Sequence, residues 1–317
     1  MTARARELLA QAVLAAALAL LAWYFVSNTA ANLEARRIAS GFAFLWREAG
    51  FEIGETAGLA YSAADSYLRA LAIGLANTFR IAVIGVVFAT VLGALLGLAR
   101  LSPNWLLAKL AAAYVEVVRN VPLLVQLFFW YAVISENLPG PAEALNPLPG
   151  VFLSNRGIFI PLPGSTPQLS GFNFSGGASL SPEFAALLLG LVTYTAAFIG
   201  EIVRAGILSV HRGQIEAAYS LGLARRAAMR FVILPQALRL IVPPMTSQYL
   251  NLTKNSSLAV AIGYPDLVSI ANTTINQTGQ AIEGIAIIMG VYLTISLSIS
   301  AFMNWYNRRV ALRGTAR

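Results

Sequence analysis

An all-α integral membrane protein of about six spanning helices is the fold class this sequence predicts, and three observations predict it. Only 11% of its 317 residues are charged while 57% are hydrophobic, where a soluble domain carries about 25% charge. Apolar runs recur at close to the roughly 20 residues needed to cross a hydrocarbon layer of about 30 Å, and the mean hydropathy is +0.68. The net charge of +8 sorts by side of a membrane, as argued below. Cysteine is absent, which excludes a disulfide scaffold, thiol redox chemistry and cysteine-ligated metal. One histidine, His211, leaves little for a histidine-based metal centre.

The spanning segments follow in order. Leu8–Val26 is the first, Ile81–Ala99 the second, Val121–Ile134 with the softer Leu110–Val118 before it the third, and Phe184–Val203 the fourth. Ile285–Tyr306 is equally clear, and the aromatic pairs Trp23-Tyr24, Trp130-Tyr131 and Trp305-Tyr306 mark interfacial ends. The N-terminal run has a signal-peptide flavour, with Arg4 and Arg6 before an apolar core. It exceeds the usual core of about 7–15 residues, however, and no small-x-small site follows Trp23-Tyr24-Phe25, so a retained helix is expected.

Leu240–Gly263 is harder. It contains Pro243-Pro244, Thr246, Ser247, Gln248, Asn251, Lys254, Asn255 and Ser256, and hydropathy alone passes over it. Charge restores it: the basic stretch Arg204–Arg239 and the basic tail from Arg308 to Arg317 belong on one side, so an even number of crossings separates them. Leu240–Gly263 is then the fifth span, buried among other helices, and both termini are cytoplasmic. On this topology fifteen of the 22 Lys and Arg residues fall inside and four outside, while ten of the 14 acids fall outside. The excess positive charge is therefore a topology signal and not a nucleic-acid-binding patch.

Eight of the 14 prolines lie in Ser135–Pro182 with glycines and serines between them, which reads as an irregular surface cap or docking segment. The chain divides into residues 1–66 (first helix and an outer segment), 67–308 (the transmembrane domain, with an outer loop 135–182 and a cytoplasmic loop 204–239) and a basic tail, 309–317. No internal repeat is visible.

The cytoplasmic loop carries the most specific pattern: Glu216-Ala217-Ala218, three residues to Gly222, then Val232-Ile233-Leu234-Pro235. Gln214–Leu221 forms a short helix, Gly222 takes the left-handed conformation that ends it, and Ala224–Ile233 forms a second helix, stopped near Pro235. On the second, Ala227, Ala228, Phe231 and Val232 make an apolar stripe while Arg225, Arg226 and Arg230 face outward. Glu216 is free either to bond a partner or to pair with Arg225. The pattern resembles the EAA loop of binding-protein-dependent ABC importer permeases, with Val232 where that motif has isoleucine. The resemblance implies that Glu216, Ala217, Ala218, Gly222, Arg225 and Arg226 couple the chain to an ATP-binding cassette subunit.

Further stretches resemble the polar amino-acid uptake permeases over about residues 68–308: Leu75-Ala-Asn77-Thr78, Glu116-Val-Val-Arg119-Asn120-Val-Pro122, Tyr194-Thr-Ala-Ala-Phe198-Ile-Gly200-Glu201, and Lys254-Asn255-Ser-Ser-Leu. With the extra N-terminal helix and long loops, the likeness is to the Q-type subunit of general L-amino-acid permeases. That implies uptake of an L-amino acid across a bacterial inner membrane. It implies a periplasmic amino-acid-binding protein, a homologous sister permease in a heterodimer, and two ATPase subunits that hold ATP-Mg, with no cofactor on this chain. Membrane lipid is the remaining contact, and nucleic acid is not one. No G-x-x-x-x-G-K-[ST] occurs, so hydrolysis must come from another polypeptide, and no Ser-His-Asp set suggests an enzyme.

Polar groups at membrane depth are costly and mark pathways or partners. Asn77, Thr78, Gln126, Thr193, Glu201, Gln248, Asn251, Lys254 and Asn255 are the substrate-path candidates. Glu201 either meets a substrate ammonium or is neutralised by Arg204 three residues on; Lys254 either meets a carboxylate or lines a seam between subunits. Asn77, Thr78 and Gln126 each also fit a single interhelical hydrogen bond, and Gly93 with Gly97 fits close helix packing. The alternative function is a stand-alone secondary transporter or channel for a small polar solute.

Overall fold

A computed structural model describes residues 3–35 and 40–310. Arg36 and Arg37, two of the four basic residues that the expected topology puts outside, and the tail residues Arg313 and Arg317 lie beyond the described residues.

Helix α1 spans Ala3–Ala35, longer than Leu8–Val26, and its spanning window places no side chain in a core. Helix α2 spans Tyr67–Arg100 and starts fourteen residues before the expected Ile81, capped by the Ser66 hydroxyl, which accepts from the Arg69 amide. Asn77 and Thr78, which precede the expected start, are fully buried inside the helix. At about 1.5 Å per residue, α2 overreaches the bilayer core. Its surplus first turns pack against Phe44, Ala49 and Ile53 of the preceding segment and against Leu267 and Ile270.

The expected third span is two helices and not one. Helices α3 (Trp105–Asn120) and α4 (Leu123–Asn137) meet at 106°. Pro122 has no amide hydrogen to donate and holds Val121 extended. The Gln126 amide fills the gap, donating to the Val118 and Val121 carbonyls at 2.9 and 3.0 Å.

The cap is not irregular as expected. Strands β1 (Leu145–Leu148), β2 (Val151–Ser154), β3 (Gly157–Ile160) and β6 (Ala178–Leu180) form an antiparallel sheet, and β4 (Gln168–Ser170) pairs with β5 (Asn173–Ser175). Its prolines sit largely at turns and edges, and Phe174 packs on Phe152 and Phe159 at 4.6 and 4.8 Å between ring centres.

Helix α5 (Pro182–Leu208) is the central post of the larger core, where Phe184, Leu187, Leu191 and Ile199 are wholly buried. It crosses α2 closely because a side chain at Gly93 or Gly97 would strike Ile199 at 2.5 Å or the Gly200 carbonyl at 2.8 Å. That is the small-residue packing expected of the pair.

Beyond α5 come α6 (Arg212–Ser220) and α7 (Arg225–Ala228). The second hairpin helix does not stop at Pro235 as expected. It continues through a π turn, Met229–Ile233, into α8 (Leu234–Asn255), one helical run to Ile262. A proline ring collides with the carbonyl four residues back, and the widened π turn around Phe231 makes the room. Pro243 and Pro244 then lie within the span, not at its start. Helix α9 (Leu267–Thr278), absent from the expectation, is capped by Asp266 and closed by Gly279 at φ 72°. Its polar composition hid it. Helix α10 (Ala281–Val310) completes the described chain.

Candidate functional site: a hairpin and a polar cavity

The hairpin closes as its residues dictate. After α6, the Gly222 amide donates to the Tyr219 carbonyl and the Leu223 amide to that of Ala218, at 2.9 and 3.1 Å, with Gly222 at φ 78°. This paired bonding satisfies the last carbonyls of a helix and requires the left-handed residue. Ala218 and Ala228 are buried between the two arms, whereas Glu216, Ala217, Gly222, Arg225 and Arg226 are exposed. Among the described residues Glu216 makes no ion pair with Arg225 or any other cation. Phe231 departs from the expected inward stripe: it is 67% exposed, beside an 82% exposed Leu221 and an exposed Tyr219. Apolar side chains left out at the tip of a hairpin mark a surface meant to be covered.

The membrane-depth candidates divide into committed and uncommitted groups. Asn77 donates to the carbonyls of Glu55 and Pro265 at 2.7 and 2.9 Å. The Thr78 hydroxyl donates to the Gly74 carbonyl and accepts from the Leu267 amide. Thr193 bonds back to Leu189 and Gly190 of its own helix, and Gln126 seals the break between α3 and α4. Asn77, Thr78 and Gln126 thus tie separate segments together, while Thr193 bonds only within its own helix. Glu201 pairs with Arg204 at 2.6 Å and also with Arg100 from the end of α2, so the neutralising partner expected at Arg204 is present and a second one joins it.

On α8 the polar residues stay open. Asn251 and Lys254 are exposed, with Gln248 and Asn255 half-buried beside them, and lipid is a poor neighbour for such a stripe. The structure does not bring them to Glu201. Glu201 instead lines a cavity of about 430 Å³ with Arg100, Glu116, Arg119, Asn120 and Phe198. In the sequence Glu116, Arg119 and Asn120 stand out only as part of the stretch similar to amino-acid uptake permeases; the signal that marks them is a charged pair on the flank of the Pro122 break.

At the opposite, cap end a second node joins three segments. Glu55 accepts from the Ser181 hydroxyl at 2.6 Å and pairs with Arg80, whose guanidinium lies 4.3 Å from the Phe184 ring centre. Below it Asp266, fully buried and outside the spanning helices, has its carboxyl pushed up to about 7 by burial.

A chain with several spans, a proline-broken helix and a glycine-closed hairpin matches the family model described as "Binding-protein-dependent transport system inner membrane component" over residues 85–312. The chain belongs to this family. The permease is 46% identical to the putative amino-acid ABC transporter permease YhdX of Escherichia coli K12, over 94% of this chain and 92% of that one. It is 42% identical to the general L-amino acid transport system permease AapQ of Rhizobium johnstonii, over 92% and 88%. A crystal structure of an amino acid ABC transporter with histidines superposes with a TM-score of 0.59 at 28% identity, covering 77% of this permease and 95% of that chain. The permease is thus an amino-acid ABC transporter subunit, a transport component and a multi-pass protein of the inner membrane.

Proposed function

We propose that this permease and a homologous sister form a heterodimeric path for L-amino acids, driven by two ATP-binding cassette subunits seated on the hairpins. The observation that carries this is the hairpin itself: a rigid glycine-closed tip with Tyr219, Leu221 and Phe231 exposed among Glu216, Arg225, Arg226 and Arg230. The hairpin faces the cytoplasm with both termini, which agrees with its basic residues. The cap and the segment before α2 face the periplasm and receive the loaded binding protein. This chain has no phosphate-binding loop, so ATP-Mg is held and hydrolysed by the cassette subunits.

The arm that ends at Leu234 runs unbroken through the π turn into α8, so movement of a cassette against the hairpin tilts α8 directly. Asn251, Lys254, Gln248 and Asn255 on α8, and the cavity with Glu201, are then the polar surfaces along the path. Leu221→Asp leaves the turn geometry alone, while Gly222→Asp forces a side chain onto a left-handed backbone. Both are expected to abolish uptake and co-purification of the ATPase in mild detergent, with membrane insertion intact. Uptake at wild-type rate in either variant overturns the coupling assignment.

A further inference from the structure

The cavity beside Glu201 is lined by four charged groups, Arg100, Glu116, Arg119 and Glu201, and they are not equally occupied. Arg100, Glu201 and Arg204 form a closed set in which the carboxylate is bonded to both guanidinium groups. Glu116 and Arg119, one turn apart on α3, make no ion pair with each other or with any described residue. The Arg119 guanidinium lies over the Phe198 ring, 4.8 Å from its centre, an attraction that orients the cation without neutralising it.

Position sharpens the point. Glu116 and Arg119 stand on the last turn of α3, next to the 106° break of the span, and both are exposed in this chain. Exposed charges with no protein partner are poor neighbours for lipid and face a protein interior or a water-filled cavity. This wall of the cavity is therefore turned toward an aqueous path and away from lipid. The cavity measures about 430 Å³, room for a small solute.

We propose that Glu116 and Arg119 bind the α-ammonium and the α-carboxylate of the amino acid in transit, with Phe198 holding Arg119 in place. Two opposite, unspent charges on one wall complement a zwitterion, whose own two charges sit on a single carbon. No single ion satisfies both. Recognition then falls on the part that all amino acids share, and the side chain is left to the rest of the cavity. This inference rests on the import of amino acids proposed above.

The test uses the assembled transporter in proteoliposomes with its binding protein, and radiolabelled L-glutamine and L-leucine as probes with different side chains. Glu116→Gln and Arg119→Gln are each expected to lower uptake of whichever probes the wild type carries by at least tenfold, and to the same degree for both. Arg119→Lys, which keeps the charge, is expected to recover part of the loss. Co-purification of the sister and ATPase subunits checks assembly, and if Arg119→Gln fails it, Glu116→Gln, an isosteric change, decides alone. Uptake within twofold of wild type, or a loss confined to one probe, overturns the zwitterion site. Wild-type assemblies that carry neither probe nor any other amino acid overturn the import reading instead.

Discussion

Asp266 accepts from the Ser269 amide at 2.8 Å through one carboxyl oxygen, and its other oxygen has no hydrogen-bond partner. Burial lifts its pKa from 3.8 to about 7, so the native chain keeps a proton that the unfolded chain gives up above about pH 4. Stability from this group is complete below that point and is lost as pH rises toward 7. The detergent-solubilised protein is therefore expected to unfold at a higher temperature at pH 5 than at pH 8. Asp266→Asn, which keeps the cap, is expected to remove that part of the slope, and an unchanged slope would show that other groups set it. Residue identity told which side chains were costly to bury; it did not tell which were already committed. Gln126 reads as a path residue until the carbonyls of Val118 and Val121 are seen around it. Glu201 is legible with Arg204 from spacing alone, but Arg100 is a hundred residues away in sequence and enters only through the α2–α5 crossing.

Elements were legible where periodicity and composition agree, and misread where proline or polarity intervened. The α2–α5 crossing depends on glycine at 93, where an added Cβ meets Ile199 at 2.5 Å. Gly93→Val is expected to cost about 1–3 kcal/mol through overpacking, read as a lowered unfolding temperature in detergent. Gly290→Ala, on α10 with nothing within 4 Å, is expected to be neutral or mildly stabilising because alanine favours helix. Equal effects would mean that the crossing is looser than these distances. Proline at 235 reads as a stop only if the helix before it is α throughout; the π turn removes the collision, and no residue type announces such a turn. The cap strands went unread because prolines mask the short alternating runs between their turns.

For the whole molecule the decisive surfaces are those that this chain leaves open. Polar groups on the spanning helix α8 are exposed, and so are charged ones on α3, a combination that a solitary subunit in lipid does not tolerate. The chain reconstituted alone is accordingly expected to give no solute flux, with or without an ion gradient, and flux from it would favour a stand-alone transporter. Flux is expected when the sister, ATPase and binding protein are supplied with ATP.

The amino-acid sequence determined by itself the membrane class, the approximate places of the long apolar helices, and the hairpin with its left-handed glycine. Each of these follows from hydropathy, charge or backbone sterics over a few neighbouring residues. Only the tertiary structure decided which buried polar groups are spent on the fold and which are free. Hydrogen-bond satisfaction depends on partners far away in sequence, such as Pro265 for Asn77 and Arg100 for Glu201. The cavity with Glu116 and Arg119 exists for the same reason: a proline break turns α3 so that its last turn lies against α5.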